Sequence, residues 1–262
     1  MLRDVDDAPI AWREAGEGPL VLFLHGLGAT RTSWDAQLAV LAEGYRCVAW
    51  DMPGYGLSEP LADFSLAAAA DAAGALIDRL GGRAHVVGLS MGGMIALQLS
   101  LRHAAAVRSL AIVDSSPAFG MDGTDPDAWR AARLAPLDAG AQVPDFAEPV
   151  LRGVMGPNVS DEAVAAAVAS MLRVPLAGLR ETIAALPEHD VRARLGDIGS
   201  PTLVVVGELD EETPPAYSEA IAGGIPGARL AVIPGVGHYT SFEAPDALNA
   251  LLRDHLDMVE AA

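Results

Sequence analysis

Ser90 lies in the run Gly88-Leu89-Ser90-Met91-Gly92-Gly93, a G-x-S-x-G pattern. The apolar stretch Ala84 to Val87 precedes it and the helix-like Met94 to Leu101 follows. Strand before and helix after turn a weak motif into a nucleophile elbow, a turn so sharp that bulky neighbours would clash. Glycine on both flanks fits that demand. Such a turn would project the Ser90 hydroxyl above a sheet, at a helix N-terminus that favours developing negative charge. The bland alternative is a glycine-rich turn with no chemistry.

A serine hydroxyl is a poor nucleophile until a base takes its proton. His238 is the best-placed base, in the loop Gly235-Val236-Gly237-His238 directly after the apolar run Leu230 to Ile233. His85 falls within a strand, His103 and His255 on helix-like segments, and His189 near the end of a helical stretch. The base needs an acid to hold its tautomer and stabilise the imidazolium. Asp210 closes the run Val205-Val206-Gly207-Glu208-Leu209-Asp210 and gives the chain order Ser, Asp, His. Asp114, after the run Leu110 to Val113, competes for that role. Otherwise it is expected to bond loop backbone near Ser115 and Ser116. Two backbone N–H groups, of Met91 and of Leu27 in His25-Gly26-Leu27-Gly28, are candidates for an oxyanion hole, each donor worth about 3 kcal/mol in the transition state. His25 reads as a residue that orders its loop. With Gly26, Trp129 and Met155 it is also a candidate for contact with substrate.

Those residues need a sheet with its carboxyl-end loops converging. The runs Leu20 to Leu24, Arg46 to Trp50, Ala84 to Val87, Leu110 to Val113, Leu203 to Val206 and Leu230 to Ile233 are nearly continuously apolar, as buried strands covered by helices on both faces are. Met1 to Ala15, broken at Asp6-Asp7-Ala8-Pro9, predicts an antiparallel hairpin at the sheet edge. Leu66, Ala69, Ala73, Leu76, Ile77 and Leu80 keep helical spacing, with Ser65 as cap and Gly81 as stop. The resulting class is α/β, with a mostly parallel eight-stranded sheet flanked by helices. Residues 117–194 break the alternation. They carry helix-like segments near Ala128 to Leu134, Phe146 to Val154, Asp161 to Leu172 and Ala177 to Leu186, and no strand pattern. This predicts a helical cap inserted between two strands of a core formed by residues 1–116 and 195–262.

Composition narrows the function classes. A formal charge of −18 on 262 residues argues against nucleic acid or an anionic membrane as partner, since both need clustered positive charge. The single cysteine, Cys47, permits no internal disulfide, and the scattered histidines show no metal-ligand spacing. No metal or organic cofactor is expected. Arg3, Asp4, Asp6 and Asp7 stand where a signal peptide would need an apolar stretch, and no apolar run approaches the roughly 20 residues of a membrane helix. A cytoplasmic protein is the expectation, of undetermined oligomeric state.

At these motifs the chain resembles the α/β-hydrolase superfamily over nearly its whole length apart from the insertion. Asp51-Met52-Pro53-Gly54-Tyr55-Gly56-Leu57-Ser58 adds to the likeness. The resemblance implies an α/β-hydrolase fold, catalytic roles for Ser90, Asp210 and His238, and oxyanion donors at Leu27 and Met91. The C-terminal third most resembles 3-oxoadipate enol-lactonases, through Gly207 to Asp210, Thr213-Pro214-Pro215, Ile225 to Arg229, and His238 with Glu243 and Pro245 beyond. The insertion matches that group poorly, as does the pair His25-Gly26.

The expected activity is therefore hydrolysis of a small carboxylic ester or lactone through an acyl-enzyme on Ser90. The same triad could instead cleave a carbon–carbon bond or carry out perhydrolysis, and a third reading is a non-catalytic small-molecule binder. In the insertion, Met121, Trp129, Phe146, Met155, Met171 and Leu172 could line an apolar pocket. One of Arg130, Arg133, Arg152, Arg173 and Arg180 could grip a substrate carboxylate.

Overall fold

The computed structural model describes residues 1–262. Eight strands form one sheet: β1 (Arg3–Asp7), β2 (Ile10–Ala15), β3 (Leu20–Leu24), β4 (Arg46–Trp50), β5 (Ala84–Leu89), β6 (Val107–Val113), β7 (Thr202–Gly207) and β8 (Arg229–Ile233). Their spatial order is β1-β2-β4-β3-β5-β6-β7-β8. The β1–β2 and β2–β4 pairings are antiparallel, so the N-terminal hairpin does close one edge. All other pairings are parallel, which gives the mostly parallel eight-stranded sheet that the sequence predicts.

Side chains alternate across a strand. In β3, Leu20, Leu22 and Leu24 join the apolar cluster on one face, while Val21 and Phe23 join the cluster on the other. Helices cover both faces: α1 (Asp35–Leu41), α2 (Leu66–Leu80), α3 (Met91–Arg102), α8 (Pro215–Gly224) and α10 (Pro245–Glu260), with the short α9 (Thr240–Glu243) before the last. α2 obeys its sequence signals. The Ser65 hydroxyl accepts from Ala68 N at 3.1 Å, and Gly81 ends the helix at φ 143°.

One strand departs from expectation. β8 is not buried on both faces: Leu230 and Val232 are 39% and 45% exposed. It is the outer strand and pairs only with β7, so the face that these two residues present is only partly covered. An apolar run marks a strand but not its rank in the sheet.

Between β6 and β7 lie four helices, α4 (Pro126–Asp138), α5 (Val143–Val154), α6 (Asp161–Met171) and α7 (Leu176–Ala185). α4 runs longer than the pattern predicts, continuing through Pro136 to Asp138, and α5 begins three residues earlier, at Val143, with a proline in its first turn. The expectation of no strand pairing there needs one amendment, an isolated antiparallel bridge between Ala118 and Asp190 that ties the two ends of the segment together. Thr30 Oγ1 and Ser170 Oγ, 3.0 Å apart, and Tyr55 Oη and Thr182 Oγ1, 2.7 Å apart, fasten these helices to loops of the sheet. No single helix is long and apolar enough to cross a membrane.

Candidate active site

Ser90 joins β5 to α3 with φ 55° and ψ −119°, a conformation that costs a non-glycine residue about 1–3 kcal/mol. The surroundings hold it there. Ser90 N donates to Val113 O at 2.9 Å, and Ser115 Oγ donates to Ser90 O at 2.7 Å. Close approach explains the flanking glycines: a Cβ at Gly88 would overlap the Gly92 carbonyl, and one at Gly92 would overlap the Leu24 carbonyl.

The loops after β7 and β8 bring the remaining groups to that hydroxyl. His238 Nε2 lies 3.0 Å from Ser90 Oγ, and His238 Nδ1 lies 2.9 Å from both carboxylate oxygens of Asp210. Asp210 is buried and fully engaged. It also accepts from Glu212 N and Thr213 N, each at 2.9 Å, and from Thr213 Oγ1 at 2.8 Å. An acid so held keeps Nδ1 as the protonated nitrogen and leaves Nε2 free to accept from serine. Burial alone would lower the His238 pKa. The charge and hydrogen bond of Asp210, with the Asp114 and Glu212 charges, outweigh it and hold the imidazole up to about 9.

Asp114 does not touch His238. Nor does it bond near Ser115 and Ser116, as the sequence suggests. Its Oδ1 accepts from Gly207 N at 3.0 Å, and its Oδ2 accepts from Thr240 N at 3.1 Å and Thr240 Oγ1 at 2.8 Å. The carboxylate thus bridges the ends of the two loops that carry Asp210 and His238. Burial and the neighbouring Asp210 charge push its pKa well above the usual carboxylate range.

Leu27 and Met91 supply N–H groups of the right kind. Met91 is the first residue of α3, where a backbone donor has no partner within the helix. Leu27 N donates to no other backbone or side-chain group, and the carbonyl of the same peptide, Gly26 O, is held by Ala29 N at 3.3 Å and by His25 Nδ1 at 3.0 Å. Gly26 packs against Ser90, so closely that an added Cβ would lie 3.2 Å from Ser90 Cβ.

A cavity of about 340 Å³ opens over Ser90 and His238. Trp129 and Met171 line it as the sequence suggests, together with Phe119, Val150, Leu151, Val154 and Leu186. Met155 is buried beside it but does not line it, Phe146 packs into the core, and Leu172 is half exposed. His25 and Gly26 do not line it either. His25 is fully buried, accepting from Met52 N on Nε2 at 3.0 Å and bonding Gly26 O through Nδ1 at 3.0 Å, so it orders the loop. Of the five arginines, only Arg133 reaches the cavity, its guanidinium 4.1 Å over the Trp129 ring and 3.4 Å from Glu212. Thr213 and Tyr239 also line the cavity, although the sequence assigns neither a role in the site. For Thr213 a signal existed, since an Asp three residues before a Thr at a Pro-initiated helix is a typical side-chain-to-backbone turn.

The chain is similar to known hydrolases in sequence and in fold. Residues 21–251 match the model of the Alpha/beta hydrolase family. A pimeloyl-(acyl-carrier protein) methyl ester esterase of Neisseria meningitidis serogroup B is 32% identical over 244 residues, covering 90% of this chain and 92% of its own. A thermophilic esterase from Thermogutta terrifontis is 26% identical with a TM-score of 0.85, covering 99% of each chain. The enol-lactonase from Burkholderia xenovorans LB400 also superposes with a TM-score of 0.85, over 97% of this chain and 100% of its own. At 23% identity it speaks for the fold alone.

Proposed function

The chain belongs to the alpha/beta hydrolase family, and from that premise we propose that it hydrolyses a small carboxylic ester or lactone through an acyl-enzyme on Ser90. The observation that carries this reading is the unbroken relay from Ser90 Oγ through His238 to Asp210, with contacts of 3.0 and 2.9 Å. Ser90 Oγ attacks the carbonyl carbon while His238 Nε2 takes its proton. Leu27 N–H and Met91 N–H hold the oxyanion. His238 then returns the proton to the departing alkoxide, the ester is cleaved, and Ser90 keeps the acyl group. Water enters, loses a proton to His238, and releases the acid. Every step is polar and two-electron, and none calls on a metal or organic cofactor.

Ester rather than another acyl bond is supported by the methyl ester esterase and esterase relatives. Lactone is supported by the sequence likeness in the C-terminal third. A cavity near 340 Å³ is at the small end for ligand sites and favours a short acyl chain. The segment 117–194 acts as a lid in this reading, because its Trp129, Val150 and Met171 line the same cavity as Ser90.

The test is release of nitrophenol from p-nitrophenyl acetate and butyrate by wild type and by Ser90→Ala. Turnover by wild type alone supports the reading and directs the next assays to lactones. Equal activity in both proteins removes Ser90 from its role.

A further inference from the structure

The mechanism leaves one partly buried carboxylate without a task. Glu243, at the end of α9, accepts three backbone hydrogen bonds. Its Oε2 takes Gly237 N at 3.0 Å and Gly156 N at 2.7 Å, and its Oε1 takes Tyr239 N at 2.9 Å. Gly237 and Tyr239 flank His238 in sequence, so one carboxylate holds the peptide on each side of the base. Gly156 belongs to a different part of the chain, the turn after α5 in the insertion. A second bond runs the same way: His238 N donates to Val154 O, in the last turn of α5, at 3.0 Å. Contact there is tight enough that a Cβ on Gly237 would overlap the backbone of Met155 and Gly156.

From this arrangement we infer that Glu243 is a positioning residue, which fixes the His238 loop and locks it to the end of α5. The inference rests on the proposed role of His238 as base. The chemistry favours a carboxylate specifically. Three N–H donors converge on two oxygens, and an ionised carboxylate offers acceptors only. An amide of the same shape turns one of those acceptors into a donor that faces N–H. Reactivity is sensitive to such losses, since displacing a reacting group by about 1 Å can cost about 100-fold.

The experiment compares wild type with Glu243→Gln on three readouts: ester hydrolysis, the thermal midpoint, and the far-downfield proton resonance of the His238–Asp210 hydrogen bond. A positioning role lowers kcat by about 10- to 100-fold with KM within about twofold, and it broadens or shifts the resonance while the thermal midpoint stays close to that of wild type. Unchanged kcat and resonance overturn the inference. So does a loss of activity that merely follows a fall in the thermal midpoint. The resonance does not depend on turnover, so a protein inert to every ester still answers the question about Glu243 while the hydrolase reading fails separately. Should Glu243→Gln not fold, amide exchange in the wild type decides. Gly156, Gly237 and Tyr239 are expected to exchange as one group, and a Gly156 amide that opens independently of the other two overturns the link to the insertion.

Discussion

Asp114 and Thr240 are joined twice, the Thr240 backbone N–H and hydroxyl both donating to one carboxylate oxygen at 3.1 and 2.8 Å. This explains how a second acid can lie at the carboxyl end of the sheet without being the partner of His238. Asp114→Asn keeps the shape and one acceptor oxygen but turns the other into an amide donor. It is expected to cost about 1–3 kcal/mol of stability and to change kcat less than about tenfold. Asp210→Asn leaves the fold intact but allows the wrong tautomer, and kcat is expected to fall by about 1,000- to 10,000-fold. Parallel kinetics on the two variants decide the matter, and the reverse ranking would transfer the acid role to Asp114.

The pH–rate profile should reflect the neighbours of His238. Only the neutral imidazole accepts the Ser90 proton, and the environment holds its pKa up to about 9. We therefore expect kcat/KM to fall as pH drops and the rising limb to lie well above the ordinary histidine value of about 6.5. Initial rates from pH 6 to pH 10 check this. A plateau already reached at pH 6 would mean that Asp210 does not hold the imidazolium.

Stability should also fall as the pH drops, through different histidines. His255 is buried on α10, and neither ring nitrogen finds a hydrogen-bond partner. Burial, with the Arg229 and His85 charges, lowers its pKa to about 4. Its folded pKa lies below the unfolded one, so below pH 6.5 the unfolded chain binds more protons and stability falls until the pH passes about 4. At pH 5 this amounts to roughly 1–2 kcal/mol. His189, also buried and also lowered to about 4, adds in the same direction. His255→Leu is expected to narrow the difference in thermal midpoint between pH 7 and pH 5, and an unchanged difference would acquit this residue.

How much of this was legible beforehand depends on the range of the signal. The elbow was readable because its constraints are local: Gly88 and Gly92 must be small where the chain touches itself within a few residues and against Leu24. Asp210 and His238 were readable from their place after apolar runs, since strand ends set where loops converge. Long-range pairing was not. Nothing in the neighbourhood of Asp114 announces Gly207 and Thr240 as its partners, 93 and 126 residues away. The cavity lining was half legible for the same reason. Trp129 and Met171 face inward, whereas Met155 and Phe146, equally apolar, turn into the core, because the packing of the helices and not residue type decides which face looks at Ser90.

Substrate charge offers a sharper test than substrate size. In the active form, with His238 neutral, Asp122, Glu211 and Glu212 line the cavity together with one cation, Arg133, a net of −2 from three carboxylates and one guanidinium. Arg133 is already engaged by Glu212 and by the face of Trp129. A carboxylate-bearing ester would have to displace Glu212 or accept the uncompensated repulsion, about 0.5–2 kcal/mol at 8 Å for an effective dielectric constant of 80 down to 20. The nitrophenyl half-ester of succinate is therefore expected to show a kcat/KM about 3- to 30-fold below that of nitrophenyl butyrate. The gap should shrink with added salt as the Debye length drops below about 8 Å, and it should widen in Arg133→Gln. The opposite preference, abolished in Arg133→Gln, would make Arg133 the anion grip and favour an acidic lactone over a neutral ester. Charge at the cavity wall, which leaves the triad untouched, then separates the two substrate classes that the triad geometry treats alike.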